Sequence, residues 1–250
     1  ITQQSSERQS RESAQLPWSD FLRGHFSSDG RLVFRISTIE PAASDDQYIP
    51  RFNRATNLGP ARNQLEAIDV ARQGAMVWRI GGLDGLDEPD LSETQFLGAP
   101  LPIGDSLYVI ARRRQETVLL AINKQNGKLD WSQSLVTNEN VRSNRYSYRR
   151  TEDTRSLSPS YANGMLLCPT GQSSIVAIDI ATRSFLWGSQ ATASESSRSH
   201  NSSRLHRTQN SQIIIDGNRI IAMDVSEYPR LLALDLTTGR PISRTGKTGL

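Results

Sequence analysis

Leu119-Leu120-Ala121-Ile122-Asn123, followed by Gly127 and Trp131, occurs in four versions along this 250-residue chain. The Asp or Asn position recurs at residues 69, 123, 179 and 235, so the copies are spaced by 54, 56 and 56 residues. An alanine stands two residues before it in every copy. The residues of the repeat are Asp69, Gly74 and Trp78; Asn123, Gly127 and Trp131; Asp179 and Trp187; and Asp235 and Gly239. Internal spacing of this regularity is typical of repeat architectures.

Each copy has the pattern of a strand, a tight turn and a returning strand. The short runs of Val, Ile and Leu before the Asp or Asn are typical of buried strands. An Asp or Asn side chain accepts hydrogen bonds from backbone N–H groups ahead of it, and glycine adopts positive φ where the chain reverses. The tryptophan then lies on the returning strand, where it presents a large apolar face to a neighbouring unit.

A second hairpin precedes each copy. Its turns are Asp29-Gly30, Gly104-Asp105, Asn163-Gly164 and Asp216-Gly217, and such dipeptides between apolar runs indicate β-hairpins. Two hairpins per repeat make a four-stranded antiparallel unit, which is the blade of a β-propeller. We therefore predict an all-β propeller segment over residues 17–250, after a polar linker at 1–16. We expect its four blades at approximately 18–80, 94–136, 157–188 and 211–250.

Composition and charge exclude several classes of function. No stretch approaches the ~18 apolar residues that a membrane-spanning helix needs, so we expect no membrane span. The net charge of +3 does not indicate a nucleic-acid-binding protein. Cys168 is the only cysteine, which excludes an internal disulfide, a CxxC redox pair and an all-cysteine zinc site.

The repeat resembles the tryptophan-docking blade of PQQ-like β-propellers, in which Ala-Ile-Asp, a turn, glycine and tryptophan follow a Gly-Asp or Asn-Gly hairpin. This superfamily includes quinoprotein alcohol dehydrogenases and the BamB-type outer-membrane assembly lipoprotein. Phe96–Pro102 and Ser158–Tyr161 are most similar to PQQ-like repeat proteins of planctomycete type. The resemblance covers roughly residues 18–250 and implies a seven- or eight-bladed ring that flanking sequence completes. Arg183 in place of glycine and Ser243 in place of tryptophan depart from the pattern.

The resemblance leaves an enzymatic and a non-enzymatic interpretation. In the quinoprotein dehydrogenases it implies PQQ and calcium near the ring axis, held by Glu, Asn and Asp residues, often with an adjacent cysteine pair. Here Cys168 stands alone and no Glu–Asn–Asp set matches those positions. We therefore expect no catalytic residue, cofactor or metal ion, and interpret the chain as a scaffold that binds protein partners through its loops. The resemblance implies the cell envelope or periplasm. The alternative is a fragment of a PQQ-dependent dehydrogenase.

Two charged segments are further candidates for binding. Arg142, Arg145, Arg149 and Arg150 are interleaved with tyrosines, and arginine with aromatic residues can grip phosphates and stack on bases. A second alternative is therefore binding of an anionic polymer through residues 142–155. The acidic residues Asp84, Asp87, Glu88 and Asp90 follow the first repeat. They fit either a solvated loop or a calcium site, although they lack the EF-hand spacing.

Overall fold

The described residues form strands and tight turns in four antiparallel sheets. The computed structural model describes residues 26–38, 63–82, 86–114, 116–137, 156–171, 174–190, 213–224 and 230–244. The predicted linker at 1–16 and the four arginines at 142, 145, 149 and 150 lie outside these residues.

The four sheets follow one another along the chain. Blade 1 comprises β1 (Phe26–Ser28), β2 (Leu32–Thr38), β3 (Asn63–Asp69) and β4 (Ala75–Gly81). Blade 2 comprises β5 (Gln95–Phe96), β6 (Leu101–Ile103), β7 (Ser106–Arg113), β8 (Glu116–Asn123) and β9 (Leu129–Thr137). Blade 3 comprises β10 (Ser160–Ala162), β11 (Met165–Pro169), β12 (Ser174–Asp179) and β13 (Phe185–Gln190). Blade 4 comprises β14 (Ile213–Asp216), β15 (Arg219–Asp224), β16 (Arg230–Asp235) and β17 (Pro241–Arg244).

The prediction of four antiparallel β-propeller blades is confirmed. The strands of each blade pair in chain order, which is the topology of two successive hairpins. Blade 2 has a fifth strand because β5 and β6 both pair with β7, at opposite ends of it. A 3-10 turn, Pro89–Leu91, lies between blades 1 and 2.

The sequence repeat is also a repeat of strand register. In the first three blades the alanine of the third strand lies opposite the tryptophan of the fourth, as Ala67–Trp78, Ala121–Trp131 and Ala177–Trp187. In blade 4 the corresponding pair is Ala233–Ser243. A β-bulge follows the alanine in every blade, so the chain bends at the same place four times.

Apolar side chains form one core in each gap between neighbouring blades. Phe34 and Leu65 of blade 1 pack with Leu120 of blade 2. Leu119 of blade 2 packs with Leu166 of blade 3 in the next gap, and a third cluster joins blades 3 and 4. Neighbouring residues on a strand thus face opposite gaps, as the two-residue strand period requires. Burial of both faces explains why these strands are continuously apolar.

Buried hydrogen bonds fix the chain segments that connect neighbouring blades. The Asn63 side chain donates to the Phe96 carbonyl oxygen at 2.7 Å and accepts from the Phe96 N–H at 2.8 Å. Leu157 N donates to the Leu97 carbonyl oxygen at 2.8 Å, and a Cβ on Gly98 would overlap the Leu157 backbone. These contacts satisfy polar groups that would otherwise be buried without partners.

Candidate functional site

Trp78 of blade 1 packs on the turn of blade 2. Its Nε1 donates a hydrogen bond to the Lys124 carbonyl oxygen at 2.9 Å, and its ring lies 6.1 Å from the ring of Phe34. A Cβ at Gly127 would lie only 2.9 Å from Trp78 Cδ2. Gly127 also has a φ of +74°. Glycine at this position therefore serves both the backbone reversal and the close approach of the indole.

Trp187 of blade 3 contacts blade 4 in the same way. Its Nε1 donates to the Leu236 carbonyl oxygen at 3.1 Å, and Leu236 follows the repeat residue Asp235 just as Lys124 follows Asn123. A Cβ at Gly239 would overlap the Trp187 ring. Two of the three gaps are thus bridged by a tryptophan of one blade on the turn glycine of the next.

Trp131 of blade 2 makes a different contact, because Arg183 replaces the turn glycine of blade 3. The Arg183 guanidinium carbon lies 5.5 Å from the centroid of the indole, a cation–π contact. Arg183 also has a φ of +59°, a conformation that side chains with a Cβ adopt rarely. Among the described residues, Trp131 Nε1 donates no hydrogen bond of the kind that Trp78 and Trp187 make.

The repeat aspartates of blades 3 and 4 accept hydrogen bonds within their own turns. Asp179 Oδ1 accepts from Thr182 N at 2.7 Å and from Thr182 Oγ1 at 2.8 Å. Asp235 Oδ1 accepts from Thr238 N and Oγ1 at 2.8 and 2.9 Å. These hydrogen bonds, to Thr182 and to Thr238 respectively, hold the pKa of each carboxyl below its usual value. Their contacts are those of turn residues rather than of a ligand site.

The turn of blade 1 is one residue longer than the others. Gln73 has a φ of +57° and Gly74 a φ of +81°, so two consecutive residues are left-handed. Arg31 and Arg72 place their Nε atoms 4.0 and 3.6 Å from Asp69 Oδ2. Among the described residues no tryptophan packs on Gly74, and only Ile68 lies within 4 Å of a Cβ built there.

A salt bridge between Asp29 and Lys124 joins blades 1 and 2. Lys124 Nζ lies 2.9 Å from Asp29 Oδ2, and both side chains are largely shielded from solvent. Burial raises the pKa of Asp29, but hydrogen bonds from Leu32 N, Lys124 and Arg31 N outweigh it and lower that pKa to about 2. The sequence repeat did not reveal this contact, because Lys124 does not recur in the other copies, where Val70, Ile180 and Leu236 stand at its position.

The face of blade 1 that points away from blade 2 is charged. Glu66 is buried and accepts from Arg35 Nε at 2.8 Å and from Ser37 Oγ at 2.9 Å. Arg79 Nε lies 3.9 Å from Glu66 Oε1, the oxygen that accepts from Ser37. The corresponding residue of blade 2 is the apolar, fully buried Leu120. Blade 1 therefore differs from the other blades in the chemistry of this face.

No cluster of metal-binding side chains occurs among the described residues. They contain no group of three or more His, Cys, Asp or Glu side chains that could hold a metal ion. In the acidic segment, Asp87 Oδ2 accepts from Arg79 N at 3.1 Å and Glu88 Oε2 accepts from Leu129 N at 3.2 Å, so both bind the backbone of neighbouring strands. Asp84 lies outside the described residues. The absence of a cofactor in the functional protein remains a prediction.

Cys168 is a core residue of blade 3. It is fully buried among Leu119, Leu166 and Ile178. Burial in this apolar environment raises the pKa of its thiol above the usual value. A buried neutral thiol is a poor nucleophile and a poor metal ligand.

The sequence and the fold are similar to known proteins. Residues 61–246 match the family model described as outer membrane protein assembly factor BamB. No curated protein matches with significance. Among solved structures, BamB from Moraxella catarrhalis has 18% identity and a TM-score of 0.50, with 74% of this chain and 48% of that chain covered. A chain of the mitotic checkpoint complex has 9% identity and a TM-score of 0.52, with coverages of 90% and 50%.

A third solved structure, a europium-containing methanol dehydrogenase, has 17% identity and a TM-score of 0.39, with 58% of this chain and 24% of that chain covered. The chain spans about half the length of the BamB and mitotic checkpoint chains and about a quarter of the methanol dehydrogenase chain. At such identities the two matches with TM-scores of 0.50 and 0.52 establish the fold alone. The described residues include no helix with the length and apolar character needed to cross a membrane. Because the family model matches most of the chain, this protein belongs to the BamB-like family of PQQ-like β-propellers.

Proposed function

We propose that this chain is a non-catalytic scaffold that binds protein partners at the cell envelope. The observation that carries this proposal is the tryptophan of one blade packed on the turn of the next, which ties the outer strands of blades 1 and 3 to blades 2 and 4. The family match supports the same function. Loops and strand edges on such a frame are held in fixed positions, which reduces the entropy lost on binding.

A few specific contacts hold neighbouring blades together. Lys124 carries two of these contacts, because its carbonyl oxygen accepts from Trp78 and its ammonium group binds Asp29. The hairpin and the outer strand of blade 1 are thereby both attached to one turn of blade 2. Rigid display of surfaces, rather than movement of one blade against another, is the mechanism that follows.

The open face of blade 4 supports a larger ring. At one position of the repeat, Leu65, Leu119 and Ile175 are 0%, 0% and 1% exposed, whereas Leu231 is 54% exposed. Ile214 on the same blade is exposed as well. We propose that a further blade of the same type covers this face and that the complete ring has seven or eight blades. In this arrangement residues 17–250 are one segment of the propeller.

Site-specific photo-crosslinking in cells of the source organism tests the scaffold function. Benzoylphenylalanine replaces Val70, Leu186 or Ile242, three exposed residues on different blades of the full-length protein. We expect crosslinks from at least one of these positions to the same discrete protein in repeated experiments. Leu231 is the internal control, because a covering blade would confine its crosslinks to the protein itself. A folded protein that crosslinks to no other protein from any of the three positions would contradict the proposal.

A further inference from the structure

The gap between blades 2 and 3 has a tyrosine at a position where the other two gaps are apolar. The residue opposite the repeat alanine on the second strand is Tyr108 in blade 2, where blades 1 and 3 have Phe34 and Leu167. Tyr108 is 5% exposed, and its hydroxyl has no hydrogen-bond partner among the described residues. A buried tyrosine hydroxyl usually has a partner. Tyr108 therefore brings an unused donor to this gap.

Trp131 brings a second unused donor to the same gap. Its ring centroid lies 6.0 Å from that of Tyr108, with an angle of 58° between the two planes. The indole N–H groups of Trp78 and Trp187 each donate to a backbone carbonyl oxygen of the next blade, whereas Trp131 Nε1 has no acceptor in the described part of the chain. An O–H and an N–H are thus left without acceptors in this gap, on two side chains in contact.

Arg183 adds a positive charge to the same indole. Its guanidinium carbon lies 5.5 Å from the Trp131 centroid, and its guanidinium forms no salt bridge or hydrogen bond with the described residues. The turn residues whose N–H groups make the same backbone contact in blades 2 and 4 are Gly127 and Gly239, so the arginine is specific to this gap. It has a φ of +59°. Residues held in such a sparsely populated conformation cluster at functional sites.

We propose that Tyr108, Trp131 and Arg183 bind a carboxylate group, and that its source is an aspartate or glutamate side chain of a protein partner. All three side chains offer donors, and an ionised carboxylate accepts at both oxygens. Hydrogen bonds between arginine and a carboxylate are stronger than those between neutral groups. Asp179, the acidic residue of the same turn, accepts from Thr182 instead of pairing with Arg183. This inference rests on the proposed scaffold function and names the chemistry of its partner.

NMR spectra of the indole N–H groups test this site, because each tryptophan gives its own signal. The probe is the synthetic peptide Gly-Asp-Gly-Glu-Gly-Asp-Gly, and the control peptide has Asn and Gln in place of Asp and Glu. We expect the acidic peptide to shift the Trp131 signal, which Trp131→Phe identifies. The signals of Trp78 and Trp187 should stay in place, because both N–H groups already donate to backbone oxygens. The control peptide should shift none of the three.

Matched variants assign the contribution of each donor. Arg183→Ala should weaken binding by about fivefold. Arg240→Ala should leave binding unchanged, because Arg240 is an exposed arginine beside the equivalent turn of blade 4. Tyr108→Phe removes only the hydroxyl and should weaken binding by about twofold. Signals of Trp78 and Trp187 that keep their positions in each variant without peptide show that the blades remain folded.

Three results would overturn the site as a whole. They are a Trp131 signal that does not move at millimolar peptide, equal binding of the acidic and control peptides, and equal weakening by Arg183→Ala and Arg240→Ala. Unchanged affinity in Tyr108→Phe would remove the hydroxyl from the site. Tighter binding of inorganic phosphate than of the peptide would reject a carboxylate as the ligand, and equal affinity for acetate would reject a protein as its source.

The crosslinking experiment separates these results from a failure of the scaffold function. Partner crosslinks from the benzoylphenylalanine positions, together with a Trp131 signal that does not respond to peptide, would leave the scaffold and reject this site. A Trp131 signal that responds to the acidic peptide, without any crosslink to another protein, would do the reverse.

Discussion

The indole of Trp78 covers Gly127 so closely that a single added methyl group at Gly127 would lie 2.9 Å from Trp78 Cδ2. The two residues belong to different blades and to different copies of the repeat. Glycine and tryptophan recur together in the sequence because each copy supplies the tryptophan for one gap and the glycine for another. This relationship is the physical reason for a repeat with a fixed spacing between the two.

Substitution of Gly127 by alanine measures this contact. Gly164→Ala is the matched control, because Gly164 has a φ of +80° and a Cβ there meets no atom within 4 Å. We expect Gly164→Ala to cost about 1 kcal/mol in the free energy of unfolding, from left-handed backbone alone. Gly127→Ala should cost about 1 to 3 kcal/mol more, because the methyl group displaces the indole. Urea denaturation measures both, and equal costs would show that the indole does not need the glycine.

Truncation of two tryptophans distinguishes their environments. Trp78 is buried and its Nε1 is hydrogen-bonded, whereas Trp131 is partly exposed beneath Arg183. We expect Trp78→Ala to lower the free energy of unfolding by about 3 to 5 kcal/mol and Trp131→Ala by clearly less. Trp78→Phe keeps most of the apolar surface and should cost about 1 kcal/mol for the hydrogen bond, plus the lost ring volume. A loss for Trp131→Ala equal to that of Trp78→Ala would contradict the structural difference.

The repeat made the blades predictable, but not the contacts between them. Strand, turn and tryptophan positions follow from local patterns of apolar residues, Asx turns and glycine. The hydrogen bond from Trp78 to Lys124 joins positions 46 residues apart, and it depends on how one blade is stacked on the next. The replacement of glycine by Arg183 is visible in the sequence. Only the three-dimensional structure shows that the Arg183 guanidinium packs on Trp131, where other blades place a glycine against the indole.

The sequence alone also does not show which residues of the outer strands are equivalent, as β13 illustrates. The lack of charge in Phe185–Gln190 can be read from the sequence. The equivalence of Gly188 with Arg79 and Ser132 requires the strand register, because the bulge shifts pairing within each fourth strand. Equivalent positions in the outer strands therefore follow from strand pairing rather than from a motif.

Two substitutions of Arg183 separate backbone strain from the cation–π contact. Arg183→Ala removes the guanidinium and keeps a Cβ at a φ of +59°, while Arg183→Gly removes both. The cation–π contact is worth about 0.5 to 1 kcal/mol, and relief of a left-handed residue returns a similar amount. We expect Arg183→Ala to destabilise the protein and Arg183→Gly to leave its stability nearly unchanged. Thermal unfolding of the two variants gives the order, and a more stable Arg183→Ala protein would contradict it.

Because of the salt bridge between Asp29 and Lys124, we expect the free energy of unfolding to depend on pH in the acidic range. The pKa of Asp29 is lowered from 3.8 to about 2 in the folded protein, so the unfolded chain binds a proton at higher pH than the folded one. The stabilising contribution is complete above pH 3.8 and is lost as the pH falls from there to about 2. Because the turn at Asp29 is exposed, solvent screens part of this interaction, and we expect a contribution of about 1 kcal/mol. We expect the free energy of unfolding to fall more steeply over this range in the unmodified protein than in Asp29→Asn.

Asp105→Asn is the control for this pH experiment, because Asp105 lies in the corresponding hairpin of blade 2 and is exposed. Urea denaturation at several pH values between about 2 and 5 should give curves for Asp105→Asn parallel to those of the unmodified protein. The Asp29→Asn curve should instead converge with the unmodified one at the acidic end, because both side chains are then uncharged. Curves for Asp29→Asn that stay parallel throughout would show that the contact between blades 1 and 2 does not depend on this charge. The attachment of blade 1 to Lys124 would then rest on the indole hydrogen bond alone.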